Sequence, residues 1–127
     1  MHELELMVTG EARDVYALVS NGRNATKLYI EGLSVDSQRK LAARLGTIAI
    51  QGWAGHENEV VRPLKGSRVA YEVKEHASNT RLYFFRHGHR IVVCTHGGPK
   101  PGRREVKTAI EKVERLYQEC LSEGLLT

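Results

Sequence analysis

Four stretches rich in β-branched and aromatic residues, Val60–Leu64, Val69–Glu75, Arg81–Arg86 and Arg90–Thr95, follow one another with short breaks. The breaks are Lys65-Gly66-Ser67, Ala77-Ser78-Asn79 and His87-Gly88-His89. Parallel neighbours need a crossover of a dozen or more residues, so connections this short restrict the four runs to antiparallel pairing. Pro63 has no backbone N–H to give to a ladder and confines the first run to a sheet edge. On the second run Val69, Tyr71 and Val73 share one face, while Ala70, Glu72 and Lys74 share the other. On the third, Arg81, Tyr83 and Phe85 oppose Leu82, Phe84 and Arg86.

The same region concentrates the positive charge. Between Val60 and Arg104 lie ten Lys or Arg and two acids, Glu72 and Glu75; elsewhere there are nine basic and thirteen acidic residues. The net +4 therefore splits into +8 on the strands and −4 on the remainder. A concave sheet face of that sign suits a phosphodiester backbone. Four of the six histidines, His76, His87, His89 and His96, lie in this basic stretch. For His87, His89 and His96 no acid lies close in sequence and neighbouring strand residues point to opposite faces, so neither a metal nor another cofactor is expected. Cys94 and Cys120 show no CxxC or Cys/His spacing and read as reduced core thiols.

At 127 residues the expectation is one domain with an adequate core. No apolar run approaches the roughly 20 residues of a membrane span. The opening Met1-His2-Glu3-Leu4-Glu5 lacks the basic and apolar regions of a signal peptide, so a cytoplasmic protein is expected.

Upstream, Leu4–Thr9 reads as a short strand or a frayed arm, and Val15–Ser20 as a better strand closed by the turn Asn21-Gly22. A hairpin into Lys27–Ile30 is one continuation. A short helix over about Asn24–Gly32 is preferred, because Leu28, Ile30 and Leu33 do not alternate. Ser34 suits an N-cap, with Asp36 in the first turn. Leu41, Ala42, Leu45, Ile48 and Ala49 recur at helical spacing up to a stop at Gly52, with Arg39, Lys40 and Arg44 on a solvated face. Trp53–Glu59 reads as loop, with Trp53 as a lid over the core.

After the Gly/Pro-rich loop Gly97–Gly102, the stripe Val106, Ala109, Ile110, Val113, Leu116, Tyr117, Cys120 and Leu121 marks a closing helix. The expected fold is α+β. A single domain carries an antiparallel sheet of about four strands, two N-terminal helices and a C-terminal helix, all packed on one sheet face. The opposite face is left open for function.

From Leu64 onward an ordered set of short motifs stands out: Leu64-Lys65-Gly66, Tyr71-Glu72-Val73-Lys74, Arg81-Leu82-Tyr83-Phe84-Phe85, Ile91-Val92-Val93 leading to His96-Gly97, and Lys100 before a helix starting near Glu105. This order resembles the phage-derived Gp49-like branch of the RelE/ParE toxin superfamily, which includes the HigB toxins. Gly98 stands where that family usually has an aromatic residue. The resemblance implies a RelE-like fold and a type II toxin that cleaves mRNA on the translating ribosome without a metal. Its partners would be a cognate antitoxin, mRNA and the ribosome. The superfamily also contains gyrase poisons that cut no RNA, so a non-enzymatic inhibitor toxin remains an alternative, as does a phage accessory protein of the same fold.

Metal-free RNA cleavage needs a group to accept the 2′-hydroxyl proton, cationic charge for the transition state, and a donor for the leaving 5′-oxygen. Arg81 corresponds to the family's arginine on the third sheet strand and is the first choice for transition-state stabilisation; its alternative is a structural arginine paired with Glu72. His96 ends a strand where family residues line the cleft, as acid or base or merely as a strand-end residue. Lys100 completes the catalytic set. Lys65, Arg68 and Lys74 on the first hairpin, with Arg86, Arg103 and Arg104, are candidates for RNA contacts. Tyr83 or Phe85 is a candidate base-stacking platform, whereas Phe84 is assigned to the core.

Overall fold

The computed structural model describes residues 1–52, 61–75 and 79–126. Trp53 and the rest of the loop expected at Trp53–Glu59 lie outside the described residues, as do Val60 and His76-Ala77-Ser78. In chain order the elements are β1 (His2–Thr9), β2 (Asp14–Ser20), β3 (Arg23–Asn24), α1 (Ala25–Glu31), α2 (Val35–Gln51), β4 (Val61–Pro63), β5 (Ala70–Glu75), β6 (Thr80–His87), β7 (Ile91–Pro99) and α3 (Arg103–Ser122).

Local chemistry sets several boundaries. The turn at Asn21 (φ 51°) and Gly22 (φ 81°) folds β3 back on β2 for two residue pairs. Asn24 then caps α1 by accepting from the Lys27 N–H at 2.9 Å, so the chain makes a brief hairpin and then a helix. Ser34 caps α2 through the Ser37 N–H, and Gly52 ends it at φ 65°.

The strands form one seven-stranded sheet of order β1-β2-β7-β6-β5-β4, with β3 beside β2. The expected sheet of about four antiparallel strands is too small, and the sheet is mixed. The β1–β2 hairpin enters it through parallel pairing of β2 with β7, from Asp14↔Ile91 to Ala17↔Cys94. The physical reason lies in Ile91-Val92-Val93-Cys94, which is apolar on both faces. Such a strand is stable only in a sheet interior, with a neighbour on each edge and cover on each side. β6 supplies one edge and β2 the other. β4, with Pro63, is at the far edge.

The helices also divide, contrary to the expectation that all would pack on one face. Leu41, Leu45 and Ile48 of α2, with Tyr29 and Ile30 of α1, cover Val15, Val73, Leu82, Phe84, Val92 and Cys94. Ala109, Val113, Leu116 and Cys120 of α3 cover Leu18, Tyr83, Phe85 and Val93 on the other face. Among the described residues no whole sheet face is open, and two hollows lie beside the start of α3. Cys94 and Cys120 are free, buried thiols on opposite faces. No described helix is long and apolar enough to cross a membrane.

Candidate active site

The site is built at the end of β5, β6 and β7 nearest the start of α3. The ladders pair Glu72 with Tyr83, Lys74 with Arg81, Arg81 with Gly98, and Tyr83 with His96. Directly paired residues project to the same side, so Glu72, Lys74, Arg81, Tyr83 and His96 share the α3 face. His96 reaches that face through a β-bulge: Tyr83 pairs with His96 while Phe84 pairs with Cys94, which leaves Thr95 as the extra residue. Strict alternation would have set His96 against Leu82, under α1 and α2. One inserted residue re-aims the side chain.

The bulge is anchored on both sides. The Thr95 hydroxyl lies 3.4 Å from the Tyr83 carbonyl and 2.8 Å from His96 Nδ1. With its proton given to that carbonyl, the hydroxyl accepts from Nδ1–H, and Nε2 keeps a free lone pair. The His96 ring stacks on Tyr83 with centroids 4.8 Å apart. A Cβ at Gly97 would come within 2.3 Å of the Tyr29 ring, so only glycine lets α1 dock here.

Beneath the opening sits a charged cluster. Glu72, 4 % exposed, receives Arg62 at 3.0 Å and Arg81 Nε at 3.4 Å. Arg81, 6 % exposed, also donates from Nη1 to the Thr80 carbonyl at 3.2 Å. Directly across from it is Lys74, also buried. Like charges directly opposite on a ladder are unfavourable, and the Glu72 carboxylate offsets this on the Arg81 side.

Two adjoining hollows open over the cluster. The first, about 500 Å³, is lined by Arg62, Lys65, Glu72, Arg81, Lys100 and the start of α3 at Val106. The second, about 390 Å³, holds Tyr83, His96, Thr108 and Lys112. Lys100 and Pro101 belong to both and form the wall between them. The Lys100 N–H donates to the Asn79 carbonyl at 2.9 Å, which ties this wall to the β5–β6 turn. Ser67 fixes the β4–β5 turn: its hydroxyl accepts from the Ala70 N–H and donates to Glu114 of α3, setting Lys65 at the rim.

The candidate residues are thus dispersed in a definite pattern. Arg81 lines the first hollow, His96 and Tyr83 the second, and Lys100 both. Lys65 is in the first hollow, and Lys74 lies in the buried cluster. Arg68, Arg103 and Arg104 are exposed but outside both linings. Arg86 lies on the opposite sheet face, with its guanidinium 5.6 Å over the Tyr71 ring. Tyr83 is 3 % exposed, so its ring packs under His96 instead of standing open as a platform. His87 and His89 sit at the other end of the β6–β7 hairpin; His87 contacts the Tyr117 hydroxyl at 3.0 Å.

Arg62 and Lys112 are site residues that the sequence reading did not select. Lys112 lies one turn beyond Thr108 on α3, a spacing that puts both on one helix face. Arg44, assigned to a solvated face, instead pairs with buried Glu75 at 3.7 Å.

Burial, with Lys112 nearby, pushes the His96 pKa down to about 4, so the imidazole is neutral at pH 7. Burial, then the Glu72 charge, pushes the Tyr83 phenol up to about 12 and keeps it protonated. The histidine has a consequence for stability. Its folded pKa is depressed, so between pH 6.5 and about 4 the unfolded chain binds the extra proton. That part of the stability is complete above pH 6.5 and is lost as pH falls towards 4. Denaturation followed across this window should show the decline in the wild type and a flatter profile in His96→Gln.

No curated protein matches the chain. Residues 28–118, well over half of the chain, match the family described as phage-derived protein Gp49-like (DUF891). That span runs from α1 through most of α3 and takes in every residue lining the two hollows. The chain therefore belongs to the Gp49-like phage-derived family.

Proposed function

We propose that this chain is the toxin of a type II toxin–antitoxin pair, allied to the RelE/ParE superfamily, and that it cleaves mRNA on the translating ribosome without a metal. The reading rests on the bulge at Thr95, which turns His96 to the sheet face that carries Arg81. Lys100 stands on the wall between them.

RNA brings its own nucleophile, the 2′-hydroxyl. His96 Nε2 takes its proton as the 2′-oxygen bonds to phosphorus and the bond to the 5′-oxygen breaks. The products are a 2′,3′-cyclic phosphate and a 5′-hydroxyl, the latter protonated by the Lys100 ammonium. Arg81 and Lys100 stabilise the charge gathering on the phosphoryl oxygens. A neutral imidazole is the form a base requires, and an arriving phosphate anion raises its proton affinity. The antitoxin would cover the basic hollows with a helix or an extended segment, and the setting would be the cytoplasm.

One observation favours a second reading, a non-enzymatic inhibitor toxin: Arg81 is buried and already held by Glu72, as a structural arginine would be. Induced expression with mapping of transcript 5′ ends separates the two. The ribonuclease reading requires growth arrest with new ends inside translated messages, both relieved by a folded His96→Gln variant. Arrest with intact messages would transfer support to the inhibitor, and no arrest at all to an accessory protein.

A further inference from the structure

The two hollows do not end at His96. A third, about 590 Å³, shares Lys112 with the second and is lined by Arg23, Thr95, Lys112 and Arg115 as well as by Glu119 and Glu123. Consecutive hollows thus share a cationic wall: Lys100 between the first and second, Lys112 between the second and third.

The cations of this series fall into two kinds. Arg62, Arg81 and Arg115 each have a carboxylate partner. Lys65, Lys100, Lys112 and Arg23 make no ion pair among the described residues and are exposed. Lys65 lines the first hollow, Lys100 is shared by the first and second, Lys112 by the second and third, and Arg23 lines the third. Positive side chains without partners repel one another and are tolerated at the surface when water or an anion screens them. A repeating polyanion meets all four at once, whereas a small anion would meet one or two.

We infer that the three hollows are a single track for one strand of RNA, running from Lys65 past Lys100 and Lys112 to Arg23 on the β2–β3 hairpin. The inference rests on the RNA-cleaving reading and extends it. The strand passes beyond His96 into the third hollow, where Lys112 and Arg23 each hold a phosphate. Arg23 lies outside the basic strand region and joins the site only because β2 pairs with β7. Contact with phosphates alone carries no base preference, so these two positions set affinity and footprint and not the sequence that is cut.

The test is binding of a labelled single-stranded RNA of about 12 nucleotides, 2′-O-methylated throughout so that it cannot be cut, across a salt series. Each phosphate contact contributes roughly 0.7 to the slope of log affinity against log salt for a single strand. Arg23→Ala and Lys112→Ala should each flatten the slope by about that amount and weaken binding alike for different base compositions. Arg39→Ala, on the exposed surface of α2, should leave the slope unchanged. An unaltered slope in Arg23→Ala, an equal loss in Arg39→Ala, or no RNA binding by the wild type would each overturn the track. Cleavage of cellular messages with an unaltered Arg23→Ala slope would sink the track alone. Salt-dependent binding through Arg23 and Lys112 without any cleavage would uphold the track and sink the ribonuclease reading.

Discussion

Replacing Glu72 with alanine is expected to lower the free energy of unfolding by about 3–5 kcal/mol, the range seen when one member of a buried ion pair is removed. The loss comes mainly through Arg81, whose side chain is 7 % exposed and whose Nε is left facing an apolar methyl group. The Arg62 side chain is half exposed, so its share of the pair is small. Lys74 lies directly opposite Arg81 on the ladder, so the loss of the carboxylate also removes a negative charge from beside two cations. Glu72→Gln keeps a hydrogen-bond acceptor and should lose less. Urea titration checks this, provided the slope with denaturant is unchanged. Phosphate in the buffer should restore part of the loss in Glu72→Ala, because the anion takes over the charge the carboxylate supplied. A loss below about 1 kcal/mol would mean that Arg81 is hydrated in the hollow and does not depend on Glu72.

Arg81→Ala is the converse case. Glu72 keeps Arg62, so the fold should survive better than in Glu72→Ala, while cleavage should fall by about 10²–10³, the usual effect of deleting one transition-state donor. Arg81→Lys should recover little of it. An ammonium is a point charge, whereas the planar guanidinium holds Glu72 and, on the ribonuclease reading, would present N–H groups to a phosphoryl oxygen. Single-turnover cleavage by folded variants is the measurement. Wild-type rates in Arg81→Lys would show that only the charge is used, and wild-type rates in Arg81→Ala would remove this residue from the mechanism.

Elements whose determinants are local could be read from the chain. Ser34 and Gly52 bound α2 as their cap chemistry dictates, and the apolar stripe of α3 buries Ala109, Val113, Leu116 and Cys120. Leu121, counted in that stripe, is 40 % exposed, because it lies to one side of the buried line Ala109, Val113, Leu116 and Cys120. The sheet was misjudged for non-local reasons. Of the two readings of Leu4–Thr9, short strand or frayed arm, the strand is the one found: β1 is an edge strand paired over its length with β2. Ile91–Cys94 does carry a signal: a run without alternation asks for two neighbours and two covering layers. Nothing in the chain announces the bulge, because Thr95 is an ordinary strand residue whose register is set by β6. For the same reason the α3 face of His96 was not legible, nor was the approach of Arg23 to Lys112.

The parallel seam between β2 and β7 bears on synthesis of the protein. Asp14–Ala17 must wait for Ile91–Cys94, so most of the chain has left the ribosome before its central strand can gain its second neighbour. Pairings so distant along a polypeptide form late and slowly. His96, Lys100 and the covering helix emerge later still. A prematurely terminated product would hold β2 paired with β1 and β3 but not with β7, and no assembled cleft; on the ribonuclease reading, the molecule would become capable of attacking translation only once its own translation is nearly finished.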